Sequence, residues 1–203
     1  MQDSQDLNIQ NQRFAKQIAF LLELEKLKNI YRRSLVLHED RHENDAEHSY
    51  HLAIMACILA EYAKEKIDVL HVMKMVLIHD VVEIDAGDTY FYDAVGNQDK
   101  VEREQKAADR IFSMLPDDQA CEFRALWDEF ESRNSPESRF ANALDRIQPM
   151  LLNYKKGGIS WKDHGIRADQ VRQNLPKIHD GSPEIAQLAE LIIQSAVEQG
   201  ILN

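Results

Sequence analysis

The strongest constraint on this chain is a polar pair, His79-Asp80, set inside an apolar run, with Val76, Leu77 and Ile78 before it and Val81, Val82 and Ile84 after it. Val72, Met73, Val76, Leu77 and Ile78 recur at helical spacing, which predicts a helix capped by Asp68 and stopping near Gly87. An imidazole and a carboxylate carried into a core are costly unless partners offset their burial. Two arrangements would do so. One is a hydrogen-bonded core histidine beside an aspartate that pairs with another helix. The other is a divalent cation shared with further ligands, because neutral imidazole and carboxylate together suit first-row metals. The same dipeptide recurs at His179-Asp180, in a polar stretch before Gly181-Ser182-Pro183 that reads as a loop and poses no burial problem. Metal binding is not expected there.

The rest of the chain adds helices and no alternating strand pattern of useful length. Phe14, Ile18, Leu21 and Leu22 mark an amphipathic helix over residues 11 to 29. A charged loop through Arg32, Arg33, His38, Asp40, Arg41 and His42 follows, ending at Asn44-Asp45-Ala46-Glu47, which has the form of a capping box. Leu52, Met55, Leu59 and Tyr62 continue that helix to about Lys64, with His48 in its first turn. Lys100 to Leu115 and Asp117 to Glu131 read as helices broken at Pro116. Ser135-Pro136-Glu137 and Ser182-Pro183-Glu184 each set a cap, a first-turn proline and an acid in order. They start helices running to Lys156, with Asp145 in the middle, and to about Gln199. The class is all-α, and the length suits one domain over residues 1–203.

Charge narrows the ligands. With 24 Lys plus Arg against 35 Asp plus Glu, a net charge of -11 disfavours nucleic-acid polymers. A small phosphate ester is still allowed, because a cation and one or two arginines invert the field locally. Met1 to Gln12 lack a signal peptide's basic start and apolar stretch, and Cys57 and Cys121 read as reduced core residues, so the expected setting is cytoplasmic, with no membrane partner. Ile185, Leu188, Leu191, Ile192 and Val197 give the last helix more apolar surface than a small terminal helix needs, so a homodimer is expected.

Asn44-Asp45-Ala46-Glu47-His48-Ser49, Leu77-Ile78-His79-Asp80-Val81-Val82-Glu83, Gly87-Asp88-Thr89 and Ala143-Leu144-Asp145-Arg146 occur in that order. Together they resemble the motifs of the HD-domain metal-dependent phosphohydrolases, in particular their 5′-deoxynucleotidase-like branch. The resemblance covers residues 20–155, with C-terminal helices over 166–203 expected to pack on that core. It implies an HD-type helical bundle in which His48, His79, Asp80 and Asp145 hold one divalent cation, whether Mn, Co, Fe, Ni, Zn or Mg. It also implies that Glu83 is the general acid or base and that Asp88 positions the attacking water. Glu83 lies four residues after His79 and three after Asp80, so on a continuous helix it shares their face. The family's phosphate-binding arginine falls by count on Arg33. At the next position Ser34 replaces an aromatic that packs near the sugar, a departure that bears on deoxyribose selectivity.

The implied reaction is hydrolysis of a (deoxy)nucleoside monophosphate, or a similar small phosphomonoester, by metal-activated water. Phosphodiester or nucleoside-triphosphate hydrolysis is an alternative, although only one ligand set is visible. A non-catalytic regulatory module that binds a nucleotide or metal is another, and the intact Glu83 weighs against it. His51 and Lys155-Lys156 are weaker site candidates, and Trp127 and Trp161 are expected to pack as core or rim.

Overall fold

The computed structural model of the protein describes residues 9–90, 92–93 and 96–203; Met1 to Asn8 of the polar start lie outside the described residues. Asn11 caps α1 (Gln12–Leu24), accepting from the Phe14 amide at 3.2 Å, and the chain then tightens into a 3₁₀ turn at Glu25–Asn29. The segment expected to be a loop forms an antiparallel hairpin, β1 (Tyr31–Leu35) and β2 (His42–Asn44), pairing Tyr31 with Asn44 and Leu35 with His42. Its alternation is written in polar residues, so hydrophobic patterning does not reveal it. Arg32 and Ser34 face inward, whereas Tyr31 and Arg33 are exposed.

The expected capping box starts α2 (Asp45–Leu59): Asn44 Oδ1 accepts from the Glu47 amide at 3.0 Å, and Glu47 Oε2 accepts from the Asn44 amide at 3.2 Å. The Asp45 amide donates to the Ile30 carbonyl at 3.1 Å, tying this helix to the entry of the hairpin. Asp68 caps α3 (Val69–Ile78) as expected. The helix does not run through to Gly87, however. Residues 79–82 form a turn in which the amides of Val81, Glu83 and Ile84 donate to carbonyls three residues back, before one helical turn, α4 (Glu83–Ala86). Three residues per turn keep Asp80 and Glu83 on one side, so the break preserves the juxtaposition that a continuous helix was expected to supply.

Downstream lie α5 (Lys100–Phe112), α6 (Asp117–Ser132) and α7 (Pro136–Lys155), the last begun by Ser135, whose side chain accepts from the Ser138 amide. Short helices α8 (Ile159–Asp163), α9 (Ala168–Arg172) and α10 (Leu175–Gly181) lead to α11 (Pro183–Glu198), capped by Ser182. Apart from the hairpin, the described architecture is helical. Two apolar clusters hold it together, and each fully buried Leu, Ile or Phe contributes roughly 1.5–3 kcal/mol. The larger joins Leu52, Met75, Val76, Phe140, Leu144, Ile178 and Ile193 around α7; the smaller joins Phe20, Ile78, Val81, Val82, Phe112 and Trp127. The chain crosses from the larger cluster to the smaller between Val76 and Ile78, immediately before His79-Asp80.

Three further readings change. Cys57 and Cys121 are exposed rather than core. Cys57 lies on a helix whose outer face also carries exposed Tyr50, Ile54 and Ile58, so periodicity could not choose the buried side. His179-Asp180 is not in a loop but in the last turn of α10, a helix with Pro176 in its first turn, and both residues are exposed. Of the five apolar residues on the final helix, Ile185 and Ile192 are buried in the protein's own core, leaving Leu188, Leu191 and Val197 exposed. Among the described residues no helix is long and apolar enough to cross a membrane.

Candidate metal centre

The structure brings together four residues from two helices and the turn after α3: His48 near the start of α2, His79 and Asp80 in the turn, and Asp145 in mid α7. His48 Nε2 is 3.0 Å from Asp145 Oδ1. His79 Nε2 is 3.1 Å from Asp80 Oδ1 and 3.7 Å from the same Asp145 oxygen. His48, His79 and Asp145 each offer one ligand atom, all within 4.8 Å of one another.

The other ring nitrogens explain why both imidazoles present Nε2. Gln148 Nε2 donates to the Glu43 carboxylate at 2.7 Å, which orients the amide so that its Oε1 accepts from His48 Nδ1 at 3.1 Å. His79 Nδ1 donates to the Val76 carbonyl at 2.8 Å. With the proton on Nδ1 in both rings, Nε2 is the atom each could offer a cation. His79 Nε2 is buried without a hydrogen-bond partner, as are one oxygen each of Asp45 and Glu83. Unsatisfied buried groups of this kind need an explanation, and a divalent cation suits two imidazoles and two carboxylates in both donor type and charge.

Burial opposes ionisation throughout the centre, but opposite charges overcome it at the proposed ligands. His79 and Arg32 hold Asp80 below the usual carboxylate range, and His48 and His79 do the same for Asp145. Asp80 and Asp145 in turn push His79 up to about 10. Glu83 goes the other way: burial, then Asp80, Asp45 and Asp88, raise its carboxyl well above normal, with Arg32 only partly opposing. Burial and Asp80 likewise bring Asp45 to about 7. Asp88 is raised mainly by burial.

Arg32, which the sequence count passes over, points into the centre. Its Nη1 lies 2.6 Å from Asp80 Oδ2 and 3.4 Å from Asp45 Oδ1, and its Nη2 lies 3.8 Å from Asp145 Oδ1. Arg33, the counted candidate, is exposed and reaches the same cavity from its rim, while Ser34 is buried against it. A strand reading would have paired Arg32 with Ser34 on one face. Asp45, Glu43 and Gln148 were also missed. Gln148 follows Asp145 by one helical turn, a spacing that puts both on one face.

The centre opens into a cavity of about 290 Å³ lined also by Glu83, Asp88, Lys100, Glu104 and Arg146. Pro149, inside α7, lacks the amide that would bond the Asp145 carbonyl. His51 is exposed and receives a 3.3 Å hydrogen bond from Gln148, and Lys156 is engaged with the Glu39 carbonyl and Asp40. Trp127 and Trp161 are both buried.

A family model described as an HD domain matches residues 24–186. A 5'-deoxynucleotidase HDDC2 from Homo sapiens is 29% identical over 135 residues, covering 66% of this chain and 65% of its own length, so the match spans just under two thirds of that relative. The Xenopus laevis 5'-deoxynucleotidase HDDC2 is 26% identical over 180 residues, with 87% and 86% covered. The crystal structure of a predicted metal-dependent phosphohydrolase from Magnetospirillum magnetotacticum is 49% identical, with TM-score 0.88 over 94% of this chain and 98% of that one.

Proposed function

The chain belongs to the HD domain family, and on that premise we propose that it is a metal-dependent phosphohydrolase releasing phosphate from (deoxy)nucleoside 5′-monophosphates. The observation that carries this reading is the convergence of two Nε2 atoms and two carboxylates at one end of a cavity that also holds a buried Glu83. His48, His79, Asp80 and Asp145 would hold one divalent cation. Once bound, that ion would supply Lewis acidity toward water and a phosphoryl oxygen at neutral pH. Arg32 and Arg33 bring guanidinium forks to the phosphate oxygens, one from inside the cavity and one from its rim. Glu83, its carboxyl raised well above the usual range by burial and three neighbouring carboxylates, is the acid placed to protonate the departing ester oxygen. Asp88, lining the same cavity, accepts a hydrogen bond from the incoming water and aims it. Ser34 packs where the sugar would lie, with no aromatic to exclude a ribose hydroxyl.

Relatives described as 5'-deoxynucleotidases and a neighbour described as a metal-dependent phosphohydrolase support this substrate class. The same reading treats residues 1–203 as one domain and places the chain in the cytoplasm. It also pairs two copies through exposed Leu188, Leu191 and Val197; a monomeric mass by light scattering would remove that last part. The activity is tested by loading the protein with Mn or Co and measuring phosphate released from a nucleotide panel. Release from monophosphates, lost in Asp80→Ala, is expected. No release from any monophosphate would reject the proposal, and preferential cleavage of a cyclic nucleotide would replace it with a diesterase.

A further inference from the structure

Asp88 lies just beyond α4, on residues 87–90 that have no regular secondary structure, so its place at the cavity depends on side chains that hold the backbone there. Gly87, with φ of 74°, makes the bend out of the helix. The chain returns to α5 through Gly96 and Asp99, and the outgoing and returning stretches touch: a Cβ added at Gly96 would meet Thr89 Cγ2 at 3.1 Å.

One side chain ties these stretches together. Arg103 sits near the start of α5, where a long side chain leans back toward the helix N-terminus and so over the connection. Its Nη1 donates to the Ala86 carbonyl, an orphan at the end of α4 and two residues before Asp88. Its Nη2 donates to Thr89 Oγ1 at 3.1 Å, one residue after Asp88, and to the Gly96 carbonyl at 2.9 Å. The remaining bond, from Nε to Asp99 Oδ1 at 2.9 Å, counts least, because that carboxylate is 65% exposed. The other three are partly buried and charge-assisted, so they carry the restraint. Arg103 itself does not line the cavity, although Lys100 and Glu104 on the same helix do.

We propose that Arg103 is a positioning residue for the hydrolysis: by bridging Ala86, Thr89 and Gly96 it holds Asp88 against the metal centre. The inference rests on the phosphohydrolase reading, which gives Asp88 a water to aim. The acceptors lie on both sides of Asp88, and a planar fork reaches them together where a single ammonium does not. The four proposed metal ligands and Arg32 stand on α2, α7, β1 and the turn after α3, so their work should not feel the loss of this bridge.

The test is a double-mutant cycle in the Mn-loaded enzyme. Arg103→Met should lower kcat for a monophosphate about 10–100-fold, the scale of a misplacement near 1 Å, with metal affinity unchanged within about twofold. Asp88→Asn should lower kcat at least as far. Adding Arg103→Met to it should then cost less than about twofold more, since no aimed carboxylate is left to misplace. Effects that multiply would overturn the proposal, and so would a metal affinity that falls with kcat, the mark of a general loosening. The milder Arg103→Lys keeps the charge and should behave like Arg103→Met; full activity there would show that no bridge is needed. Hydrogen exchange reads the bridge without turnover. The Ala86 and Gly87 amides, bonded to the Val82 and Glu83 carbonyls, should exchange faster in Arg103→Met while those of α7 keep their protection, and unchanged exchange would overturn the bridge. No phosphate release by the unaltered protein sinks the hydrolase reading and the role in turnover with it; release that Arg103→Met leaves intact sinks the positioning role alone.

Discussion

His79-Asp80 and His179-Asp180 are the same dipeptide in opposite circumstances. The first is buried where the two apolar clusters meet, with His48, Asp145 and Arg32 within hydrogen-bonding or ion-pairing range of the pair or of one another. The second lies exposed on the final turn of α10, where Asp180 has Lys64 at 3.9 Å for company. An exposed pair is solvated and asks nothing of its neighbours. A buried one must be compensated, so the surrounding side chains are organised around it. The chemistry belongs to the convergence rather than to the motif.

The largest effects should fall on the buried pair. His79→Ala or Asp80→Ala should abolish stoichiometric metal binding and cut phosphate release on the order of 10³-fold, about 4 kcal/mol in the barrier. His179→Ala and Asp180→Ala, assayed alongside, should leave kcat/KM within about twofold; a comparable loss there would erase the contrast. Next comes Gln148→Leu, which frees His48 Nδ1 from the amide that sets its tautomer. Metal affinity read by competition with a chelating dye should fall roughly 10–100-fold, and unchanged affinity would show that Gln148 does not position the ligand. Smaller again, Arg32→Met should raise KM for a monophosphate roughly tenfold, the worth of one charged hydrogen bond to phosphate. A loss confined to Arg33→Met would return the role to the rim residue. Least of all, Lys156→Ala should change stability by no more than ~1 kcal/mol in a denaturant titration and leave KM alone, since its partner Asp40 is exposed.

The parts of this molecule legible in its sequence are those written as local rules. The caps at Asn44, Asp68, Ser135 and Ser182 are short-range hydrogen-bonding patterns, and each begins a helix where its residues say it should. The four proposed ligands came from motif order together with the burial problem at residues 79–80. What stayed hidden depends on tertiary context. The hairpin alternates charged residues with serine, so its inward face carries no apolar signal, and the parity that sends Arg32 inward and Arg33 outward went unread with it. The turn at 79–82 has no glycine or proline to announce it. Glu43 Oε1 accepts from buried Gln148, whose own Oε1 accepts from His48, a relation between positions distant in sequence that no local pattern records.

The proposed centre requires His48, His79, Asp80 and Asp145 to share one divalent ion. Crystals of the protein purified with Mn or Co, measured at the metal's absorption edge, test it most directly. A single anomalous peak bonded to Nε2 of both histidines and to both carboxylates is the predicted result. A peak elsewhere, or none in protein whose solution metal content equals that of Asp145→Ala, would contradict it.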